Sequence, residues 1–357
     1  MEGFRTDRDS LAAILESSDK EFASRLYAKA YKTKADTIGE KVYLRGLIEI
    51  SNICRKNCLY CGIRSGNTSV NRYEISAEEV TDAARFAADN GYASIVIQGG
   101  ERKDRAFTEK ITSILKEIAG IRPAGGEGTL GVTLSLGEQP YEVYREWAEA
   151  GARRYLLRIE ASNRSLYEKI HPADSLHSYE TRLQALKDLR DCGYQVGTGV
   201  MIGLPFQTVH DLADDLIFFK DMDIDMCGMG PYIEHSMTPL YDYRSILPSV
   251  EQRIELSLKM VALLRIMMPD INIAATTAMQ ALDPFGREKA IMAGANVLMP
   301  NITVGEVRAD YQIYQNKPGV GEDAAISSSG IESRLREKKI PIGYGQWGDS
   351  LHFRKRK

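Results

Sequence analysis

Histidine is scarce: five residues in a chain of 357, none of them clustered. That leaves no histidine-based metal site and no Ser-His-Asp arrangement to consider. Long apolar runs are missing too. No stretch of about 18 apolar residues occurs, so no membrane span is expected. Met1–Asp7 lacks the apolar core of a signal peptide, so the expected compartment is the cytoplasm. Charge is nearly balanced at a net −3, which favours neither nucleic acid nor an anionic membrane surface as partner. Cysteine is limited to five residues, with three close together. This suits a reducing compartment and a metal site better than a disulfide framework. What remains, 43% hydrophobic and 27% charged, is ordinary for a folded protein. The length admits two domains or a single (β/α)8 barrel with additions.

The clustered cysteines lie in Ser51-Asn-Ile-Cys54-Arg-Lys-Asn-Cys58-Leu-Tyr-Cys61-Gly62. They follow an alternating apolar run, Val42–Ile50, that reads as a strand, so they occupy a loop leaving a strand's carboxyl end. A four-iron cluster normally takes four thiolates, one per iron, and three leave one iron uncovered. Zinc would need a fourth protein ligand, and none is near in sequence; free structural thiols are the third reading. The spacing Cys-x3-Cys-x2-Cys resembles that of the radical SAM enzymes. In that superfamily, S-adenosylmethionine chelates the free iron through its amino and carboxylate groups.

The rest of the chain alternates short apolar runs with amphipathic stretches. Residues 8–32 read as helical, through Leu11, Ile14, Leu15 and then Phe22, Leu26 and Ala30, and are expected to cap the bottom of the fold. Strands are expected at Tyr43–Ile50, Ser94–Gln98, Gly131–Ser135, Arg154–Ile159, Gln195–Ile202, Met226–Met229, Asn272–Ala275 and Asn296–Met299. Ser76 with Glu79, Thr208 with Asp211 and Ser249 with Gln252 are helix-start signals; Gly91, Gly151, Gly193 and Gly294 mark helix ends. Eight strands alternating with helices predict an α/β fold, a closed parallel (β/α)8 TIM barrel at 41–324. An N-terminal helical extension at 1–40 precedes it, and a C-terminal extension at 325–357 follows. That last segment is expected to hold one short helix near Ile331–Lys338 and a solvated basic tail ending Arg354-Lys-Arg-Lys.

In such a barrel the carboxyl ends of the strands build the active site, and polar residues gather there. After the second strand, Gly99-Gly100-Glu101 offers either a tight turn or backbone and carboxylate contacts for a ligand. Thr133 and Ser135 share one face of the third strand, and Arg158 and Glu160 share one face of the fourth. The latter pair is either a structural ion pair or a ligand grip, since buried charges must be paired. Arg182, on the following helix, can fork onto a carboxylate. Met201, Tyr232 and Ile233 sit where an adenine would need a wall. Thr276 and Thr277 end the seventh strand. A polar stretch with Arg308, Tyr311 and Tyr314 follows the eighth and has the length of a lid.

The long runs Thr133–Glu138, Arg154–Glu160, Ala275–Met279 and Gly294–Asn301, with the cysteine motif, resemble the HydE-type maturases of FeFe-hydrogenases. The first motif alone is also similar to biotin synthase and methylornithine synthase. The resemblance implies one [4Fe-4S] cluster on Cys54, Cys58 and Cys61, beside Tyr60. It implies S-adenosylmethionine held by Gly99, Gly100, Glu101, Ser135, Glu160, Arg182, Met201, Tyr232 and Ile233. It places Thr133, Arg158, Thr276, Thr277, Arg308 and Tyr311 toward the substrate. The implied reaction yields methionine and a 5′-deoxyadenosyl radical that acts on an iron complex carrying CO, cyanide and cysteine. Reduced ferredoxin or flavodoxin would be the electron donor, and other hydrogenase maturases would be partners. A radical SAM mutase or transferase acting on an amino acid or thiol is the alternative. Three departures stand out: Ile159 where many HydE sequences have His, Val307 where a Tyr is expected, and no cysteine after Cys227 for a second cluster.

Overall fold

The computed structural model describes residues 5–126, 128–319, 321 and 324–356. Its strands are β1 (Tyr43–Ser51), β2 (Ser94–Gly99), β3 (Gly131–Ser135), β4 (Ala152–Leu156), β5 (Gln195–Thr198), β6 (Met201–Ile202), β7 (Met226–Cys227), β8 (Gly230–Pro231), β9 (Asn272–Ile273) and β10 (Val297–Leu298). Eight of them pair in parallel in the order β10-β1-β2-β3-β4-β5-β7-β9. The bridge Ala274–Val297 and the bonds Ala275 N to Val297 O and Asn296 N to Ile273 O, both 2.9 Å, join the ends of that order. The result is a nearly closed (β/α)8 barrel. Its inner strands are apolar on both faces, with Ile95, Val96 and Ile97 all buried.

The expected Gln195–Ile202 strand divides into β5 and β6, and the expected Met226–Met229 strand shortens to β7, with β8 just beyond it. β6 and β8 pair with each other above the main ring. The reason is a close backbone approach between them: a Cβ at Gly199 would lie 2.1 Å from Gly228 O. β4 ends at Leu156, short of Ile159, because the chain then turns into Glu160, which has φ +67°.

All three helix-start signals close as capping boxes, at Ser76/Glu79, Thr208/Asp211 and Ser249/Gln252. Gly91, Gly151, Gly193 and Gly294 take positive φ as helix terminators should. The N-terminal stretch forms two helices, α1 (Arg8–Glu16) and α2 (Lys20–Ile38), capped by Asp7 and Asp19. They pack on the outer helices Val209–Asp221, Val250–Met267 and Gly286–Met292 rather than across the bottom.

The bottom belongs to the C-terminal segment, which is not a solvated tail. Asp349 pairs with Arg154, a guanidinium with no exposed surface. Gly348 O accepts from Arg45 Nη2 (3.1 Å) and Asn272 Nδ2 (2.8 Å), and Ser350 N donates to Gln195 Oε1 at 3.0 Å. A final helix, Leu351–Arg356, anchors this plug through Lys355 to Asp270 and Arg356 to Asp223 and Asp225, each at 2.8 Å. The helix expected near Ile331–Lys338 runs from Ala324 to Glu337. No helix among the described residues is long and apolar enough to cross a membrane.

Candidate functional site

The carboxyl ends of the strands surround a cavity of about 300 Å3. Cys54, Cys58 and Cys61 all line it, on the loop after β1. That loop has little regular structure, and Arg72 clamps it: its guanidinium donates to the carbonyls of Asn52 (2.6 Å), Ile63 (2.7 Å), Arg64 (2.7 Å) and Asn67 (3.0 Å). Glu101 N donates to Cys54 Sγ at 3.3 Å, tying the Gly99–Glu101 turn to the thiol. Gly100 is needed there, because a Cβ would lie 2.4 Å from Ile53 O. Burial pushes the Cys58 thiol up to about 12, with Arg182 opposing, and raises Cys54 and Cys61 as well. Metal binding at such thiols must release protons. Among the described residues, no three His, Cys, Asp or Glu side chains converge as a single ion requires. Three thiols spread round one cavity suit a cluster ligated iron by iron better than a zinc ion.

Beneath the cysteines lies a buried charge network that sequence reasoning missed. Lys56 Nζ bonds Glu138 Oε2 at 2.9 Å and lies 3.7 Å from Glu101 Oε1. Arg182 Nε bonds Glu138 Oε1 at 2.6 Å, and its Nη1 donates to Arg158 O. Glu138 feels burial most, which raises it, but Arg182 and Lys56 together hold it below the usual carboxylate range. Glu101 goes the other way: burial outweighs Lys56 and raises it. Glu101 Oε1 is buried with no hydrogen-bond partner, an acceptor aimed at a lining that also holds Gly99, Gly100 and Ser135. Lys56 and Glu138 both sit inside motifs conspicuous in the sequence. Their roles were invisible because loop residues have no periodicity to assign them a face.

Across the cavity, Arg158 Nη2 meets Glu160 Oε2 at 3.0 Å without hydrogen-bond geometry, and donates instead to Val200 O at 2.8 Å. Glu160 is thus a buried carboxylate paired with Arg158, held in a left-handed conformation that is costly for a non-glycine residue. Burial raises its pKa, opposed by Arg158 and Arg182. Tyr60, Met201, Tyr232 and Ile233 form the wall beside it. Tyr60 Oη lies 3.3 Å from His171 Nε2, a ring that burial lowers to about 3 and so keeps neutral.

The far side holds Thr276, Thr277 and Tyr311, as expected, and also Glu49, Tyr314 and Lys317, which were not singled out as ligands. Lys317 pairs with Glu49, and its Nζ donates to Tyr311 O at 3.0 Å. Arg287 Nη2 donates to Thr277 Oγ1 at 2.6 Å. Two expectations fail. Thr133 lines a separate small void with Arg45 and Met226, one layer below Ser135, because the two-residue period sets it deeper in the barrel. Arg308 does not line the cavity; it is buried, and its guanidinium donates to the carbonyls of Thr303 (2.8 Å) and Asn301 (3.1 Å). Ile159 is fully buried and does not line the cavity.

A parallel barrel with three thiols and two buried carboxylates at its mouth defines a class, and the radical SAM superfamily profile matches residues 48–219. The chain belongs to the HydE family of that superfamily: it is 44% identical over 310 residues to the [FeFe] hydrogenase maturase subunit HydE of Thermotoga maritima, covering 87% of this chain and 84% of the relative. The 3-methylornithine synthase of Methanosarcina acetivorans is 26% identical, over 84% of this chain and 80% of its own. The crystal structure of methylornithine synthase (PylB) superposes with a TM-score of 0.79 at 22% identity, covering 96% of this chain and 95% of the other, which confirms the fold.

Proposed function

We propose that this chain is a cytoplasmic HydE-type maturase that holds one [4Fe-4S] cluster on Cys54, Cys58 and Cys61 and binds S-adenosylmethionine beside it. The observation that carries this reading is the single cavity where three thiols, Glu101 and Glu160 converge in a chain 44% identical to HydE over most of its length. Bound there, cluster and S-adenosylmethionine supply a one-electron reductive cleavage that gives methionine and a 5′-deoxyadenosyl radical. The chain's own residues do the placing. Glu101 and Glu160 offer carboxylate oxygens to an ammonium group, and Arg182, fixed by Glu138, presents a cation to a carboxylate. Tyr60, Met201, Tyr232 and Ile233 shield an adenosine from water. Arg158, Thr276, Thr277 and Tyr311 face an organometallic small molecule, an iron–cysteine complex, on the way to the hydrogenase two-iron subcluster. Reduced ferredoxin or flavodoxin is the proposed electron donor, and other maturases are the proposed partners.

Anaerobic reconstitution with iron and sulfide tests the reading. One four-iron cluster per chain is expected, with 5′-deoxyadenosine and methionine formed under dithionite. An iron–cysteine complex bearing CO and cyanide should couple to that turnover, whereas amino acids should not. Zinc uptake without cluster absorbance would refute the cluster. Coupling to amino acids alone would move the chain to the methylornithine-synthase type of reaction.

A further inference from the structure

Cys54 lines the cavity, yet its neighbours Ile53 and Arg55 are exposed, Ile53 at 37%. Backbone bonds fix what surrounds them. Arg55 N donates to Glu101 O at 2.9 Å, which sets the exposed Lys103 two residues from that contact. Ser65 N donates to Lys56 O at 2.8 Å, and Arg64 Nη1 to Asn57 Oδ1 at 2.8 Å, so Arg64 borders the same surface from the other side. Arg64 Nε also reaches Met237 O at 3.4 Å, beside a methionine 46% exposed.

The nearby carboxylates are already engaged. Asp104 is held by Arg102 at 2.8 and 2.9 Å, Glu74 by Arg102 and Lys110, and Asp174 by His177 at 2.6 Å. Among the described residues, Arg55, Arg64 and Lys103 form no ion pair with any of these groups. Three cations outside any of these ion pairs therefore lie on the cysteine loop and the turn bonded to it, next to an exposed isoleucine, on a chain whose net charge is −3. An acidic protein is repelled by the molecule as a whole and attracted here, which orients its approach.

We propose that this face is the docking site of an acidic one-electron donor protein, with Arg55, Arg64 and Lys103 as its cationic contacts and Ile53 as its apolar centre. The proposal rests on the cluster reading above, since the face lies directly outside Cys54. One electron leaves the donor, which is oxidised by one, and enters the cluster-bearing loop; no atom or proton moves with it. Association is steered by charge and weakened by salt.

The test uses the anaerobically reconstituted protein with reduced flavodoxin as the acidic donor and dithionite as a small reductant that needs no docking. The variant Arg55→Glu/Lys103→Glu is expected to bind flavodoxin roughly tenfold or more weakly, with a flatter salt dependence than wild type. Its iron content and dithionite-driven cleavage should stay unchanged. The milder Arg55→Gln/Lys103→Gln variant should shift affinity the same way by less. Wild-type flavodoxin affinity in the charge-reversed variant, or an equal loss with dithionite, would overturn the docking site. If wild type takes up no cluster or cleaves nothing even with dithionite, the function reading falls and this proposal falls with it.

Discussion

Cys58 is the most buried of the three loop thiols, and what it contributes to the fold is little more than a small apolar volume. Cys58→Ala is therefore expected to lose the four-iron cluster, read as iron and sulfide content, while far-UV circular dichroism and the urea midpoint stay near wild type. Full iron retention would remove Cys58 from the ligand set. Arg182 differs because it does two jobs. Its Nε is spent on Glu138 and its Nη1 on a backbone carbonyl, yet the guanidinium still borders the cavity. Arg182→Ala should weaken S-adenosylmethionine binding by the ~1.5–3 kcal/mol of a charge-assisted contact, measured by equilibrium binding; unchanged affinity would leave it a purely structural cation. At this scale the sequence was most readable in the cysteines, whose spacing alone puts three thiols on one loop. Arg158 and Glu160 reach the cavity as well, but past the end of β4, where Leu156 and Leu157 line it too and strand parity no longer holds. The sequence was silent on Lys56 and Glu138, whose meaning arises only when loops after β1 and β3 meet the helix that carries Arg182.

Among the elements, the helices announced themselves and the C-terminal plug did not. Capping boxes and terminal glycines are local devices, so a few adjacent residues specify them. The plug is a tertiary arrangement: Trp347–Ser350 has no regular pattern, and its partners Arg45, Arg154, Gln195 and Asn272 come from four strands or strand starts. Read alone, a Gly-rich run with a basic end looks like a tail. In the fold, Asp349 neutralises Arg154 inside the barrel, and Arg153 stacks over Trp347 at 4.6 Å. Breaking a buried pair by removing one partner costs roughly 3–5 kcal/mol, because the orphaned charge stays buried. Asp349→Ala should lower the unfolding free energy by about that amount in urea, with Asp349→Asn recovering part of it. A loss below about 0.5 kcal/mol, as expected of a surface pair, would mean that the segment does not close the barrel in solution. The short strands β7, β9 and β10 mark another limit of pattern reading. Strand-to-strand bonds run past their assigned ends, since Gly228 N donates to Thr198 O and Ala274 N to Cys227 O, both at 2.9 Å.

The molecule as a whole is a barrel with charge at both ends of its axis: the Arg45, Arg154 and Asp349 set below, and the Lys56, Glu101, Glu138 and Arg182 set above. Its buried carboxylates divide by whether a cation outweighs their burial. Burial raises Glu138, Asp349 and Asp270, but Arg182, Arg154 and Lys355 respectively outweigh it, and all three end below their ordinary values. Groups depressed in the folded state give stability that is complete above their unfolded values near 4 and lost as pH falls through the folded ones. Burial prevails instead at Glu101, Glu160, Asp225 and Asp215, the last on the helix Val209–Asp221. Asp215 Oδ1 accepts from Ser162 N at 2.8 Å and Ser162 Oγ at 2.6 Å, while its Oδ2 is buried without a partner. Burial lifts it from 3.8 to about 7. A raised folded value means stability complete below 3.8 and lost as pH rises through about 7, a penalty on the order of 4 kcal/mol at alkaline pH. Asp215→Asn keeps the acceptor for Ser162 and removes the ionisation. Urea unfolding of the apo protein should find the two nearly equal at pH 4 and the variant increasingly the more stable up to pH 8, where the gap levels off. Parallel pH profiles would show that water reaches Asp215, and that this side of the barrel wall is looser than its packing against α1 implies.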